Sequence, residues 1–456
     1  MRNKYHFIAI GGVGMSGLAK YLLQQGFDVS GSDITESKYT KQLRDLGGTI
    51  YIGHSEGNIP EDAIAVISSA IRETNPELAI ARKRGQQIYH RSDLLAKISK
   101  SDKCFIGFSG THGKTTTSGM ASYVLSKANH SPSFVVGGII PEFLTNAEYS
   151  NGEHFIAELD ESDGTITKYS PNIVIVNNLE ADHLDYYKNG LDDVLYTFGE
   201  LFLKNLPNSS KIILNNDNNG VNLLINKYIN RDYITYGLKN ADYTAKNIVY
   251  NHGYTTFDAY YKDNLLSSVK IILPGEHNVY NTMAVISALH QSGVNISDVS
   301  SHFSTFTGMG RRFQKVAEFD GIDIFDDYAH HPTEIKSTLS AMKTYTNKKI
   351  IAVFQPHRYT RLKSLWNEFK LALSDADRII VTDVYAASED EIEGINSQKF
   401  VSEMDNAEYI KGTIKEVAEK LLPTLKNDTV VIGLGAGTIT NLGKELKNLK
   451  DNLLCK

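Results

Sequence analysis

Gly110-Thr111-His112-Gly113-Lys114-Thr115-Thr116 puts glycines, a lysine and hydroxyls in an order suited to nucleotide phosphates. In such a loop backbone N–H groups point at phosphate oxygens, the lysine reaches the β- and γ-phosphates, and a hydroxyl holds Mg²⁺. Lys114 and Thr115 stand in those two places, so a nucleoside triphosphate is the expected energy source. The general pattern asks for its first glycine at position 108, which is Phe108, so the shorter loop G-T-H-G-K-T describes the chain better. An apolar run at 104–108 precedes it and helical composition at 116–127 follows, the strand-to-helix setting the motif requires.

Other residues of chemical interest stand at comparable handovers. Glu158 ends a strand-like run and is followed by Asp160-Glu161-Ser162-Asp163, carboxylates that repel one another unless a cation lies among them, which predicts a metal site. His183, in Asp182-His183-Leu184-Asp185 after the next strand, is placed to join Glu158 at the carboxyl edge of the same sheet. Gly12, Gly14 and Gly17 form G-x-G-x-x-G between a strand and a helix, with Asp33 closing the second strand where a ribose hydroxyl is bound. That unit fits a dinucleotide as well as another nucleotide.

Asn278 and Asn281 carry amides able to read an adenine edge, although a helix cap explains an Asn equally well. Arg311-Arg312 lies at an expected hinge, where a cation could reach a terminal phosphate once domains close, although adjacent arginines are more often surface charge. Asp326-Asp327-Tyr328-Ala329-His330-His331 ends a further strand. His357, Arg358 and Arg361 follow another, and two arginines three apart at a helix start share a face and can clamp a carboxylate.

Positioning these groups takes several α/β units. A chain of 456 residues is too long for one core, and usual domain sizes suggest about three. Strand-like runs at 5–10, 29–33, 65–68 and 87–89 make the first block, at 154–158 and 173–177 the second, and at 322–325, 350–354, 378–382 and 429–432 the third. A helix at 362–373 is expected as one piece, and the tract 243–270 reads as irregular or antiparallel. Such alternation predicts mostly parallel sheets covered on both faces. The expected boundaries are 1–100, 101–310 and 311–456.

Hydrophobic content of 41% and charged content of 22% are ordinary for a globular protein, and a net charge of −6 argues against a nucleic-acid partner. The only cysteines, Cys104 and Cys455, give no disulfide framework, and no apolar run approaches the roughly 18 residues of a membrane span. The expected compartment is the cytoplasm.

Taken in order, G-T-H-G-K-T-T-T at 110–117, D-E-S-D at 160–163, E-A-D-H-L-D at 180–185, D-D-Y-A-H-H-P-T-E at 326–334 and F-Q-P-H-R-Y-T-R at 354–361 resemble the Mur ligases of bacterial cell-wall synthesis. The resemblance spans nearly the whole chain. It implies an α/β fold of three domains: a Rossmann-like UDP-binding domain, a central P-loop ATPase-type domain and a C-terminal Rossmann-like domain. It implies ATP and Mg²⁺, and the alanine-adding branch implies UDP-N-acetylmuramate and L-alanine as substrates, joined through an acyl phosphate by a monomer or homodimer.

By that resemblance Gly12, Gly14 and Gly17 line the UDP pyrophosphate with Ser68 and Ser69 nearby. Lys114 meets ATP phosphates; Thr115, Glu158 and His183 surround Mg²⁺; Asn278 and Asn281 lie on the adenine side, Arg312 near the phosphates and Asp327 on the ribose. His357, Arg358 and Arg361 surround the amino acid; apart from the resemblance, His330 is grouped with them, and His330 or His357 is the candidate to take the amine proton. Three departures stand out: 196–203 has no lysine where other members carry a carbamoylated one, Thr438 replaces a usual Asp, and Asn177 replaces a usual Thr. The competing readings are a nicotinamide oxidoreductase, which leaves Lys114 and Thr115 without a job, a UDP-sugar sensor without turnover, and a ligase that recycles peptides onto the same sugar.

Overall fold

The computed structural model describes residues 3–454 except Asp185 and Ser388; Cys455 lies outside the described residues. Three sheets carry the chain. The first holds β1 (Lys4–Ile8), β2 (Asp28–Asp33), β3 (Thr49–Ile52), β4 (Ala63–Ile67) and β5 (Ile88–His90) in the order β3-β2-β1-β4-β5, all parallel. The order reverses between β1 and β4, and ligands of open α/β sheets bind at such a reversal.

The second sheet holds β6 (Cys104–Ser109), β7 (Ser133–Ile140), β8 (Thr145–Glu148), β9 (His154–Glu158), β10 (Ile173–Val176), β11 (Lys211–Asn215), β12 (Ile234–Gly237), β13 (Tyr243–Asn251), β14 (Tyr254–Tyr261) and β15 (Asn264–Ile271). Its order is β15-β14-β13-β12-β11-β10-β6-β9-β7-β8, so β6, which delivers the glycine loop, lies between β9 and β10, which deliver Glu158 and the His183 segment. β6, β9 and β10 are buried almost throughout, the mark of parallel strands covered on both faces.

The third sheet holds β16 (Gln314–Phe319), β17 (Ile322–Asp327), β18 (Lys349–Phe354), β19 (Arg378–Val381), β20 (Ala407–Tyr409) and β21 (Thr429–Leu434). It runs β16-β17-β21-β18-β19-β20, parallel except for the β16–β17 hairpin. The expected tract at 243–270 is three consecutive strands at one edge of the second sheet. The helix expected at 362–373 is two, Tyr359–Ser364 and Trp366–Leu373, because Leu365 turns to φ −120°, ψ 29° between them.

The chain divides into two compact units, one of Met1–Ile248, Phe257–Lys270 and Tyr280–Phe306, the other of Val249–Thr256, Ile271–Val279 and Thr307–Lys456. The first two sheets thus belong together. Tyr21, on the helix Val13–Gln24, packs edge-on to Phe155 of β9 with ring centroids 5.7 Å apart. Asn146 of β8 donates to the Val13 carbonyl at 2.7 Å, and Lys20 donates to the Thr145 hydroxyl at 2.6 Å.

Gly17 belongs to this packing. It is buried in the helix, and a Cβ there would lie 2.8 Å from the Asn146 amide nitrogen. The expectation that Gly17 lines a pyrophosphate is corrected: a glycine here lets helix and strand approach, and only Gly12 and Gly14 remain at the open end of the motif.

Candidate active site

The helix Lys114–Lys127 begins at Gly113, whose φ of +84° suits glycine, and no side chain caps it. Its first N–H groups are therefore available to an anion. A Cβ on Gly113 would also come within 2.8 Å of Asn281 Oδ1, which places the Asn281 amide against the loop. The helix Val13–Gln24 starts in the same way, at Gly12 and without a side-chain cap. Phe108 is wholly buried in β6, so the loop turns at Gly110, as the shortened motif predicts.

The segment after β10 holds the loop in place, and within it Asn178 was not singled out by the sequence. Asn178 accepts from the His112 N–H at 2.7 Å and donates its amide to the His112 carbonyl at 3.1 Å, while its own carbonyl accepts from Thr111 N at 2.9 Å. The Thr111 hydroxyl accepts from Glu180 N, and His112 lies 3.5 Å from the Glu180 carboxylate. Asn177 is buried with its amide toward the Thr117 hydroxyl (3.3 Å) and accepts from the Tyr236 hydroxyl (3.1 Å). No spacing rule marks these asparagines; only the adjacency of β6 and β10 does.

Thr115 and Glu158 are brought together as expected, the hydroxyl donating to Oε2 at 2.8 Å. The same oxygen accepts from Gly137 N at 3.0 Å, a partner the sequence did not reveal. These are hard oxygen donors at the start of a helix, a set that suits Mg²⁺. His183 follows β10 at a φ of +53°, its ring 3.8 Å from the Asp182 carboxylate.

Each carboxylate of the Asp160-Glu161-Ser162-Asp163 cluster meets a protein donor. Arg91 donates to Asp160 at 2.5 Å, Lys114 to Glu161 at 2.9 Å, and Ser69 to Asp163 at 2.9 Å. Burial works to raise the Asp160 carboxyl, but Arg91 and Lys114 outweigh it and hold the group far below its usual range. Burial likewise works against the Lys114 cation, and Glu161, Asp160 and Glu158 reverse that effect. Arg91 and Lys114 thus oppose the negative charge of Asp160 and Glu161, while burial, aided by Asp160 and only partly offset by Lys114, pushes the Glu161 carboxyl up to about 7.

In the first sheet Asp33 accepts from Gly11 N at 2.8 Å, so it braces the glycine loop. Ser68 and Ser69 follow β4, and Ser69 also lies 3.1 Å from the His90 ring.

In the second unit, Asn278 is the third residue of the helix Glu276–Gln291 and donates to the Pro274 carbonyl at 2.7 Å, so it is not the helix cap. Arg312 is paired with Glu334 at 3.2 Å, and the guanidinium carbons of Arg311 and Arg312 lie 4.9 and 5.2 Å from the Tyr328 ring centre. Asp327 is buried and accepts from Phe313 N (2.7 Å) and Ala329 N (2.8 Å); burial pushes its carboxyl up to about 6 despite Arg312. Both oxygens are engaged by the chain, so Asp327 organises its loop here.

His330 and His357 are neighbours, rings 5.7 Å apart, and His357 stacks on Tyr385. Burial, joined for His357 by the His330, Arg361 and Arg358 charges, lowers them to about 4 and about 3. Both rings are neutral at pH 7 and are weak bases, which counts against either as the proton acceptor for an amine. Arg358 precedes the helix at a φ of +69°, so the idea of a face shared with Arg361 by helical register is corrected; the loop, not the helix, sets the Arg358 position. Thr438 accepts from the Gln355 amide at 3.0 Å, which gives that loop its polar contact without the usual Asp.

Three family signatures match consecutive segments of the chain. The signature of the Mur ligase family catalytic domain matches residues 4–103, that of the Mur ligase middle domain 108–289, and that of the Mur ligase glutamate ligase domain 311–437. This chain belongs to the Mur ligase family. It is 40% identical over 448 residues to a UDP-N-acetylmuramate--L-alanine ligase of Geotalea daltonii, covering 97% of each chain. It is 41% identical over 449 residues to the protein of that name from Dictyoglomus turgidum, covering 97% of this chain and 96% of the other. The crystal structure of the UDP-N-acetylmuramate-alanine ligase of Thermotoga maritima superposes with a TM-score of 0.83 at 30% identity over 99% of each chain. The fold is therefore the three-domain α/β fold of the Mur ligases, and the nicotinamide oxidoreductase reading falls. No helix among the described residues is long and apolar enough to cross a membrane.

Proposed function

We propose that this chain is an ATP-dependent ligase that joins L-alanine to the lactyl carboxylate of UDP-N-acetylmuramate, giving ADP and phosphate. The observation that carries this reading is the Thr115–Glu158 pair at the uncapped start of the Lys114–Lys127 helix, in a chain related over its full length to ligases of that name. Residues 1–100 take the UDP-sugar, 101–310 the ATP and 311–456 the amino acid.

A carboxylate does not acylate an amine at neutral pH, because its leaving group would be oxide. Transfer of the γ-phosphoryl group to the lactyl oxygen replaces that leaving group with phosphate and produces an acyl phosphate. In this reading the glycine-loop amides and Lys114 hold the triphosphate. Thr115 and Glu158, with His183, hold Mg²⁺, which when bound neutralises charge on the phosphate oxygens. Asn278 and Asn281 serve the adenine side and Arg312 the phosphates. A ribose role for Asp327 would require it to release Phe313 N or Ala329 N.

Gly12 and Gly14 receive the pyrophosphate of the sugar nucleotide, with Asp33 and Ser68 beside them. Arg358 and Arg361 hold the alanine carboxylate, and neutral His330 and His357 line its surroundings. The amine attacks the acyl carbon, the tetrahedral intermediate expels phosphate, the surplus amine proton leaves with the departing phosphate, and the amide remains. The test is a phosphate-release assay with UDP-N-acetylmuramate and a panel of amino acids, with mass spectrometry of the product. Phosphate release that requires both sugar and alanine, with a product heavier by one alanyl residue, supports the reading; release without either substrate contradicts it.

A further inference from the structure

Neighbouring residues of the acidic loop bond to different sheets. Asp160 is held by Arg91, the first residue of the helix after β5 in the first sheet, and Asp163 by Ser69, which follows β4. Glu161, between them, turns to the second sheet and accepts from Lys114. Tyr187 fixes the same residue from behind, its hydroxyl donating to the Glu161 carbonyl at 2.5 Å.

Lys114 is folded back on its own loop. Its ammonium donates to Glu161 Oε1 (2.9 Å), Gly110 O (2.7 Å) and Thr111 O (3.0 Å), which uses all three of its protons. To reach a nucleotide phosphate it must give up at least one of these acceptors. Glu161 is 2% exposed, and its other oxygen, Oε2, is buried with no hydrogen-bond partner among the described residues. A buried carboxylate satisfied on one side only is poor design for stability. It suits a group whose partner comes and goes.

The far end of this connection is exposed to the other substrate. Arg91 Nη1 lies 3.5 Å from where a Cβ on Gly14 would sit, at the open end of the first glycine motif. Asp160 holds Nη2 and leaves Nη1 on the glycine side, so a diphosphate settling on Gly12 and Gly14 would draw on the same guanidinium as Asp160.

We propose that Glu161 is a positioning residue that parks the Lys114 ammonium, and that the Asp160–Arg91 bond makes this parking responsive to the sugar nucleotide. Binding of a nucleoside diphosphate at the first glycine motif draws Arg91 from Asp160, loosens the acidic loop and frees Lys114 for ATP. The inference rests on the ligand assignments under Proposed function.

The experiment measures equilibrium binding of the non-hydrolysable analogue AMP-PNP, with and without saturating UDP-N-acetylmuramate, to the wild-type protein and to Glu161→Gln and Arg91→Met. In the wild type the sugar nucleotide should tighten AMP-PNP by about 5-fold or more, the usual lower range of coupling between sites. Glu161→Gln keeps the shape but removes the charge, so it should bind AMP-PNP tightly alone and gain less than about 2-fold from the sugar nucleotide. Arg91→Met should lose the same coupling, and it carries the test if Glu161→Gln does not fold. Retention of wild-type coupling in a folded variant, or its absence in the wild type, overturns the inference and leaves the function intact. Failure of the wild type to bind either ligand overturns the functional reading itself.

Discussion

Thr115 donates its hydroxyl to Glu158 across 2.8 Å, joining the first turn of the phosphate-loop helix to the carboxyl end of the neighbouring strand. Two residues separated by 43 positions meet because β6 and β9 are adjacent and parallel. Thr115→Val keeps the shape and removes the oxygen. It should lower kcat by about 100-fold and raise the Mg²⁺ concentration needed for half-maximal rate, whereas Thr115→Ser should stay within about 5-fold of wild type. Phosphate release across a Mg²⁺ titration measures both. A Thr115→Val enzyme with an unchanged Mg²⁺ dependence would remove this pair from the metal site.

The Arg358 backbone, at a φ of +69°, permits a control that separates binding from folding. Arg358→Ala should raise the KM for alanine by about 30-fold, the loss expected for a charge-assisted hydrogen bond to a carboxylate, and leave the KM for ATP nearly unchanged. Arg358→Gly should lose the same affinity but unfold at a higher temperature than Arg358→Ala, because glycine adopts positive φ at little cost. Equal shifts in both KM values would contradict the carboxylate clamp.

Glu77 supplies the pH dependence. Its buried carboxylate accepts from Ser32, from Asn58 (2.7 Å) and from Ser55 N (3.2 Å), with His6 at 3.4 Å, all within the first sheet's layer. Burial alone would raise it, but these hydrogen bonds prevail and bring it down to about 2. A depressed carboxyl binds fewer protons folded than unfolded, so its stabilisation is complete above the ordinary value of 4.5 and is lost as pH falls toward 2. The effect is on the order of 3 kcal/mol. Hydrogen-exchange protection of the β1 and β2 amides should fall over that range in the wild type and much less in Glu77→Gln. Matching profiles would show that Glu77 is not the group responsible.

Much of this architecture was legible because it is local. The strand before the phosphate loop, the uncapped helix after it and Glu158 at a strand end follow from residue types within a few positions of each other. What escaped depends on long-range adjacency. Gly17 reads as a phosphate-binding glycine until Asn146, far along the chain, is found against it. That Asp160 and Glu161 are partnered by Arg91 and Lys114, 69 and 47 residues away, has no trace in local spacing. Asn178 carries no motif, yet three of its bonds shape the loop. Arg358 and Arg361 were grouped by helical spacing, but a positive φ sets Arg358 outside the helix.

The central claim is that the lactyl carboxylate is activated by phosphorylation. Its most direct test is turnover of UDP-N-acetylmuramate labelled with ¹⁸O in that carboxylate, with ATP and alanine. The account predicts one ¹⁸O in the released inorganic phosphate and none in ADP. Phosphate free of label, with both labelled oxygens retained on the sugar nucleotide, would contradict it.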